Sequence, residues 1–409
     1  MSHRMAIASA LAIGKSHIKG FLSCEDTFFT ISGLRKLGMD ISLIEEELHV
    51  EGSGGYFSRN SGRTEIYVGN SGTSLRLLLS FVSLAQGDII LTGDPRLKER
   101  PIGELVKALN QLGVKIDFLE NPGQPPVLVH ANGILGGSTR IKAKESSQFV
   151  SSLLLASPYA ENDTEIHVIE EVVSRPYIDL TIEVMRRFGV SVEQNGYKYF
   201  KIKSGHLYKG QNLTIEGDAS TASYFWAAAA ITGGRIVTDN IYPFQTTQGD
   251  IDFLHLLEEM GCDIKRHSDH VEVFGRTLKG IEVDMSQMPD MVPTLAGIAL
   301  FTDGKTSIRN VAHLRYKESD RLSVIATEWR RLGGHVEELP DGLIIEGNYE
   351  LKPAIVNPHD DHRIAMSLAI IGLRLPGLQI MNKECVRKSY PHFWDVWNDL
   401  CQRSEISSL

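Results

Sequence analysis

The feature that most constrains this chain is a segment layout that occurs five times at nearly constant spacing. In each copy a helical pattern ends in an apolar residue and a glycine, and Ile or Val follows after two intervening residues. The glycines lie 72–76 residues apart, at Gly38, Gly113, Gly189, Gly261 and Gly333. Self-similarity at a fixed period is typical of a fold built from copies of one supersecondary unit.

Each of these glycines is predicted to end a helix, because a left-handed residue at a helix C-terminus favours glycine. The residues that follow alternate between apolar and polar, as in Asp40–Gly52, which predicts two half-buried strands joined by a turn. One unit is therefore helix, strand, turn and strand, with a further buried helix between units. A sixth helix is predicted at Phe393–Cys401, with no strand pair after it.

Six units could form a closed ring around DNA or two groups of three. The net charge of −9 favours two groups, because a protein that coats nucleic acid needs positive charge. We therefore predict domains at residues 1–216 and 217–409, with no nucleic-acid partner. The longest apolar helices, Leu75–Leu84 and Tyr224–Ile231, are far shorter than the roughly 20 residues of a membrane span. We expect them to be buried, and we expect no membrane partner.

Cysteine usage indicates the compartment. Four cysteines lie far apart in the chain, at Cys24, Cys262, Cys385 and Cys401. Without a CxxC pair they are typical of free thiols in a reducing environment. The sequence therefore predicts a cytoplasmic protein.

Polar motifs occur at the junctions between units. Gly69–Arg76 (GNSGTSLR) places a glycine-rich turn before an apolar helix, where backbone N–H groups suit a phosphate or a carboxylate. The alternative is an ordinary turn capped by Ser71 or Thr73. Leu97–Leu105 (LKERPIGEL) contains Arg100, whose guanidinium could form a fork for a carboxylate or a phosphate. A solvated charge run is the alternative there.

Two further motifs add hydroxyls and charges. Glu145–Phe149 (ESSQF) offers two hydroxyls and an amide at a helix start, of which a simple N-cap would use one. In Arg315–Arg321 (RYKESDR), Lys317 and Arg321 are four residues apart. On a helix they would share a face with Glu318 beside them. A salt-bridge ladder on a helix surface is the alternative.

The last two motifs are HDDHRIAM (359–366) and RKSYP (387–391). Asp-Asp-His in direct succession lacks the spacing of a ligand set, so we predict no metal there. The cations gathered by the motifs are Arg4, Arg100, Lys317, Arg321, Arg363 and Lys388. Asp290 and Glu318 are candidate proton carriers. An acidic protein with such a set of cations is expected to bind highly anionic substrates.

In their order along the chain, GNSGT, KERPIG, SSQF, VSRPYID, EGDASTASYF, RYKESDRL, DDHRIAM and KSYPHF resemble the 5-enolpyruvylshikimate-3-phosphate (EPSP) synthase family. The resemblance implies an α/β fold of two similar domains. Each would hold three βαβαββ repeats in an inverse α/β barrel-like arrangement, with the active site in the interdomain cleft. It also implies transfer of the enolpyruvyl group of phosphoenolpyruvate to the 5-hydroxyl of shikimate 3-phosphate, with release of phosphate. No cofactor is expected, and we expect a monomer.

The resemblance also assigns roles to residues. Those expected to bind shikimate 3-phosphate are Ser2, Arg4, Ser146, Ser147, Gln148, Ser174, Tyr177, Asp290, His313 and Lys317. Those expected to bind phosphoenolpyruvate are Asn70, Gly72, Arg100, Gln148, Arg321, Arg363 and Lys388. Asp290 and Glu318 would be the acid/base pair, and Lys317 would lie between the two substrates as a further catalytic group.

Some alternatives stay open. The related UDP-N-acetylglucosamine enolpyruvyl transferases carry a reactive cysteine in the loop that corresponds to KERPIG, and no cysteine occurs here between Cys24 and Cys262. His313 stands where the family often has Asn, which leaves one contact to the shikimate phosphate open. Leu77 stands where many members have Pro, which leaves sensitivity to glyphosate open.

The beginning of the chain carries its own expectation. An apolar stripe over residues 5–12 predicts a helix that Ser2 caps. Family members carry Pro-Gly-Ser-Lys-Ser ahead of this point, and before it a strand that completes the sixth unit. We therefore expect a segment with a catalytic Lys and Ser to be missing, through a shortened chain or in an inactive, binding-only homologue.

Overall fold

Helices and strands alternate along the computed structural model, which describes residues 1–57 and 62–403. The predicted α/β class is confirmed. Two units are distinguished, Met1–Ile215 and Glu216–Leu409.

The helices of the described residues are α1 (Ser2–Leu11), α2 (Glu25–Lys36), α3 (Gly72–Ser83), α4 (Pro95–Lys98), α5 (Gly103–Gln111), α6 (Gln148–Ala156), α7 (Pro176–Arg187), α8 (Ala219–Thr232), α9 (Phe253–Met260), α10 (Val292–Ala299), α11 (Arg321–Arg331), α12 (His362–Gly372) and α13 (Phe393–Arg403). The strands of the first unit are β1 (Ile13–Lys19), β2 (Asp40–Ile44), β3 (Glu47–Ser53), β4 (Thr64–Tyr67), β5 (Gln86–Thr92), β6 (Lys115–Phe118), β7 (Val127–Asn132), β8 (Gly137–Ile141), β9 (Thr164–Val168), β10 (Glu193–Asn195), β11 (Tyr199–Ile202) and β12 (Asn212–Thr214). Those of the second unit are β13 (Arg235–Asp239), β14 (Asp263–Arg266), β15 (His270–Phe274), β16 (Glu282–Asp284), β17 (Lys305–Arg309), β18 (His335–Leu339), β19 (Gly342–Glu346), β20 (Ile355–Val356) and β21 (Gln379–Ile380).

The first unit repeats one strand order in three sheets: β4-β5-β7-β6, β8-β9-β11-β10 and β12-β1-β3-β2. In each sheet a parallel pair is followed by two antiparallel strands. The first two sheets come from contiguous βαβαββ segments. The third takes its first strand from the far end of the unit, since β12 pairs with β1 at His17 and Asn212.

The second unit contains β16-β17-β19-β18, which has the same order, and two smaller sheets, β13-β15-β14 and β20-β21. Within the described residues, β20 and β21 form a parallel pair with no antiparallel strands added to it.

The predicted turns from helix to strand are confirmed. The five repeat glycines have φ values between 85° and 119°, in the left-handed region. The strand pair predicted after each of them is antiparallel in every case. The predicted sixth helix is α13.

Three helices in each unit are buried on nearly all sides: α1, α3 and α6 in the first, α8, α10 and α12 in the second. The members of each set contact one another. The predicted stripe of α1 is thus wrong, because its side chains are buried all round. Met1 and not Ser2 is its N-cap; the Ser2 hydroxyl instead accepts from the backbone N–H of Leu22.

Among the described residues, no helix combines the length and the hydropathy that crossing a bilayer would require.

Candidate active site

The predicted site residues fall into two groups, one in each unit. The first unit holds Ser2, Arg4, Asn70, Gly72, Arg100, Ser146, Ser147, Gln148, Ser174 and Tyr177. The second holds Asp290, His313, Lys317, Glu318, Arg321, Arg363 and Lys388.

In the first unit, the starts of α3 and α6 are joined by the side chain of Gln148. Its amide nitrogen donates to the hydroxyl of Thr73 at 3.0 Å, and its carbonyl accepts from Arg76 at 3.2 Å. Ser71 caps α3 by accepting from the backbone N–H of Ser74, which is the cap named above as the alternative to an anion-binding turn. The amide of Gln148 is therefore held in one orientation at two helix N-termini, where the partial positive charge of the backbone favours an anion.

Gly72 and Arg100 are in direct contact. A Cβ on residue 72 would lie 2.4 Å from the guanidinium carbon of Arg100, so only glycine allows this approach. The guanidinium also donates to the backbone carbonyl of Asn70 at 3.4 Å. Three residues of the predicted phosphoenolpyruvate group thus lie together, and Arg100 is buried at 4% exposure.

Arg4 is buried among polar but uncharged partners. Its Nε donates to the hydroxyl of Thr181 at 2.7 Å, and another guanidinium nitrogen donates to the carbonyl of Tyr177 at 3.2 Å. Burial lowers the pKa of Arg4 to about 10, which still leaves it charged at neutral pH. Among the described residues Arg4 forms no ion pair with a carboxylate, and a buried charge in this state favours an anionic ligand.

The predicted serines lie at the start of α6 and at one strained backbone position before α7. Ser147 is the N-cap of α6, and the hydroxyl of Ser146 accepts from the backbone N–H of Gln148 at 3.2 Å. Ser174 has a φ of 54°, in the left-handed region that L-residues seldom occupy. All three side chains are buried. Strained non-glycine backbone is enriched at ligand-binding positions.

In the second unit, Asp290 is the centre of a charge cluster. Arg321 and Arg363 donate to its two carboxylate oxygens at 2.9 and 3.0 Å, and Lys317 Nζ lies 3.8 Å away. Burial alone would raise the pKa of Asp290, but the positive charges, that of Arg363 foremost, hold it well below its usual range. The carboxylate is therefore ionised.

Arg321 is held by two more carboxylates, Glu318 at 2.8 Å and Asp361 at 2.8 Å. The prediction that Lys317 and Arg321 share a helix face is wrong. Lys317 is extended, with a ψ of −159°, and α11 begins only at Arg321 because Asp320 caps it. The two cations meet through their shared partner Asp290 and not through helical spacing.

His313 and Lys388 are both buried, at 6% exposure each. Burial, with the positive charge of Lys317 nearby, lowers the pKa of His313 to about 3, so its imidazole is neutral. Its Nε2 is buried and has no hydrogen-bond partner among the described residues. A neutral ring nitrogen in this state can donate or accept one hydrogen bond to a ligand.

Several residues of the cluster were missed by sequence reasoning. Asp250 accepts from the hydroxyl of Ser220, and burial together with the charge of Asp290 raises its pKa to about 6. Tyr224 accepts from Arg363 at 3.4 Å, and burial raises its pKa to about 12. Tyr224 had a sequence signal, since its hydroxyl lies within a strongly apolar stretch, whereas Asp250 follows the polar residues QTTQG and had none.

Asp361 was quoted in a motif but was given no role, although it caps α12 by accepting from the backbone N–H of Arg363. The same carboxylate binds Arg321, so its oxygens are occupied by the protein.

The two groups differ in their charge balance. In the first unit Arg4 contacts a hydroxyl and a carbonyl, which leaves its charge available to an anion. In the second unit Lys317, Arg321 and Arg363 share the carboxylates of Asp290, Glu318 and Asp361. The first arrangement suits anion binding, and the second suits proton transfer beside bound anions.

Comparison with known proteins identifies relatives across the whole chain. The family model described as EPSP synthase (3-phosphoshikimate 1-carboxyvinyltransferase) matches residues 1–397. A 3-phosphoshikimate 1-carboxyvinyltransferase of Methanoculleus marisnigri is 45% identical over 397 residues, covering 97% of this chain and 93% of that protein. One from Vibrio vulnificus is 42% identical, covering 97% and 92%. A solved EPSP synthase of Acinetobacter baumannii has a TM-score of 0.79 at 31% identity, covering 98% and 92%.

Proposed function

Because this chain belongs to the EPSP synthase family, the 3-phosphoshikimate 1-carboxyvinyltransferases, we propose that its two groups of polar residues bind and activate the two substrates of that reaction. The activity is transfer of the enolpyruvyl group of phosphoenolpyruvate to the 5-hydroxyl of shikimate 3-phosphate, with release of phosphate. The resemblance inferred from the ordered motifs is confirmed, and the assignment to the UDP-N-acetylglucosamine enzymes is set aside.

The group in the first unit binds anions. Shikimate 3-phosphate is held by Arg4 together with Ser2, Ser146, Ser147, Ser174 and Tyr177. Arg100 holds phosphoenolpyruvate through a charge-assisted hydrogen bond, and Gly72 leaves space for its guanidinium. The support for these roles is that both arginines are buried, that Arg4 contacts a hydroxyl and a carbonyl, and that Arg100 lies against Gly72 and Asn70.

Gln148 is suited to lie along both ligands. Its amide is fixed by Thr73 and Arg76, so it can present one unchanged orientation to each substrate in turn. A preorganised amide costs no reordering when the ligand arrives. The backbone around Asn70 completes the phosphoenolpyruvate group of this unit.

The cluster around Asp290 is the single observation that carries the catalytic part of the proposal. A carboxylate bound to two guanidinium groups is a weak base, because the positive charge stabilises its ionised form. Anionic groups of the substrates compete for Arg321, Arg363 and Lys317. As those cations turn to the substrates, the pKa of Asp290 rises, and the carboxylate gains the basicity that deprotonation of a hydroxyl needs.

The remaining residues of the second unit complete the reaction. Glu318 is the partner acid that protonates the methylene carbon, and Lys317 lies between the substrates. Arg321, Arg363 and Lys388 neutralise the carboxylate and phosphate of phosphoenolpyruvate. The neutral His313 donates one hydrogen bond to the shikimate phosphate, in place of the Asn that is common in the family.

The proposal includes no cofactor and no metal in the reaction. It also includes a monomeric protein of the cytoplasm that binds neither nucleic acid nor membrane. The net charge of −9 and the four dispersed cysteines support this setting.

The test is release of inorganic phosphate from a mixture of shikimate 3-phosphate and phosphoenolpyruvate. We expect turnover with both substrates together and none when either is left out. UDP-N-acetylglucosamine in place of shikimate 3-phosphate is the control, and equal turnover with it would contradict the assignment. Calorimetric binding of both substrates without phosphate release would instead support a binding-only homologue.

A further inference from the structure

Outside the candidate active site, the first unit carries a group of three potential metal ligands on one face of the sheet β12-β1-β3-β2. They are His17 on β1 and Glu47 and His49 on β3. His17 and His49 are direct partners across the antiparallel pair of β1 and β3. Glu47 is two residues before His49 and therefore points to the same face. The three come together only because these two strands pair, since His17 and Glu47 are 30 positions apart in sequence.

The donor atoms of this group already lie at distances that a metal ion requires. The Nε2 of His17 is 2.9 Å from Oε2 of Glu47, and the Nε2 of His49 is 3.9 Å from the same oxygen. In a tetrahedral zinc site with bonds near 2.1 Å, two donors are about 3.4 Å apart. The two distances lie on either side of this value, and all three donors are within 4.8 Å of one another.

The two imidazoles are stacked, with ring centroids 4.3 Å apart and planes 14° apart. Because each Nε2 lone pair lies in the plane of its ring, one of the two rings must rotate about its side-chain bonds before both nitrogens can bind the same ion. Solvent reaches the group, since the side chains of His17, Glu47 and His49 are exposed by 29%, 45% and 43%. The exposed side chains therefore have room to rotate, and a metal ion that enters from solvent could keep water on its remaining positions.

A second group, His267, His270 and Glu272, has similar composition on β15 and the turn before it. There, however, Arg235 donates twice to one oxygen of Glu272, at 2.7 and 2.9 Å. The guanidinium already neutralises this carboxylate, which weakens its attraction for a metal ion. Around Glu47 the nearest cation is Lys19 at 3.9 Å, outside hydrogen-bond distance. The first group is thus the more available of the two.

We propose that His17, Glu47 and His49 form a binding site for a divalent transition-metal ion of the zinc type, which joins β1 to β3. The ligand set of two imidazoles and one carboxylate suits Zn²⁺ and its neighbours better than Mg²⁺ or Ca²⁺, which take oxygen ligands. The site serves the stability of the first unit and not the transfer reaction. A metal that binds the folded chain and not the unfolded one stabilises the fold in proportion to its occupancy.

The test is titration of the chelator-treated full chain with Zn²⁺ alone, in competition with a chromophoric chelator. We expect one zinc per chain and a melting temperature that rises with zinc concentration. His17→Asn and His49→Asn should each lower the affinity at least about tenfold, because even supporting partners of metal ligands contribute about 10–100-fold. Lys19→Gln should tighten binding, since it removes the cation that competes for Glu47.

His267→Asn is the matched control, and it should bind zinc like the parent protein. Glu47→Gln offers a third ligand substitution on the surface should either histidine variant fail to fold, which circular dichroism would show. No zinc binding by the parent chain, or the same affinity in the His17 and His49 variants, would overturn the proposal. A loss of binding in His267→Asn alone would place the ion in the second unit and would also overturn it.

Discussion

The side chain of Arg100 lies directly against the backbone of Gly72, so closely that a Cβ on residue 72 would be 2.4 Å from the guanidinium carbon. The guanidinium of Arg100 can occupy this position only because residue 72 has no side chain. Gly72→Ala must therefore displace Arg100 from its place beside Asn70.

We expect Gly72→Ala to raise KM for phosphoenolpyruvate about tenfold, the effect of weakening one charge-assisted hydrogen bond. KM for shikimate 3-phosphate should change little. Steady-state kinetics with each substrate varied in turn would measure the difference. Gly62→Ala is the control, because an added Cβ there would meet nothing within 4 Å. Equal changes in both KM values would show that Arg100 does not serve phosphoenolpyruvate.

Arg4 and Arg100 allow a reciprocal experiment within the first unit. We expect Arg4→Ala to weaken shikimate 3-phosphate and Arg100→Ala to weaken phosphoenolpyruvate. Each loss should be on the order of 1.5–3 kcal/mol, roughly ten- to a hundredfold, since each removes a charged hydrogen-bond donor. Calorimetry on the variants would separate the two effects. Arg96→Ala removes an arginine whose ion pair with Glu99 is at the surface, and it should leave both affinities unchanged.

Asp290→Asn removes the carboxylate that Arg321 and Arg363 share. We expect kcat to fall about 10²–10⁴-fold, as is typical for loss of a general base. Binding of the anionic substrates should be kept or tightened, because the cations lose a competing carboxylate. Asp360→Asn, an exposed neighbour of the cluster in sequence, should keep full turnover. A raised KM with unchanged kcat in Asp290→Asn would show that the residue only orders the cations.

Asp250 predicts a pH dependence of stability. Its pKa is about 6 in the fold, raised by burial and by Asp290, against 3.8 as the ordinary value. Between these two values the unfolded chain loses the proton while the folded chain keeps it. The free energy of unfolding therefore falls as pH rises from about 4 to 6. Above pH 6 the loss levels off at on the order of 3 kcal/mol.

Asp250→Asn should consequently raise the melting temperature at pH 7.5, since the amide can still accept from Ser220. The gain should shrink as pH falls through 6 and vanish near pH 4. Thermal melts across this range would test it, with the exposed Asp252→Asn as the comparison. A gain that does not change with pH would assign the effect to packing and not to charge.

The repeating part of the fold could be predicted because its signals are local. A glycine that ends a helix, and apolar and polar residues that alternate over a few positions, depend only on neighbouring residues. All five helix ends and strand pairs were predicted from these two signals. The strand order could not be predicted in the same way. Nothing near β1 or β12 indicates that the two pair, because the pairing joins distant parts of the chain.

The residue types of the candidate site could also be predicted, but not their geometry. Lys317 and Arg321 were predicted to share a helix, but Asp320 is the N-cap and the helix begins only at Arg321. The two cations are instead brought together by their contacts with Asp290. Asp250 was missed because a lone carboxylate gives no periodic signal. Asp250 is buried because other elements pack against it, and those contacts cannot be seen in a short stretch of sequence.

The pairing of β12 with β1 also has a consequence for the order in which the first unit folds. Residues 16 and 211, which are hydrogen-bonded beside it, are 195 positions apart in the chain. The sheets β4-β5-β7-β6 and β8-β9-β11-β10 are contiguous in sequence and can form by themselves. Closing a long loop is entropically costly and slow unless the chain between its ends is already compact. During synthesis, β1 is made before the other strands of this unit, yet its parallel neighbour β12 is made after them, so we expect this sheet to be the last of the three to be completed.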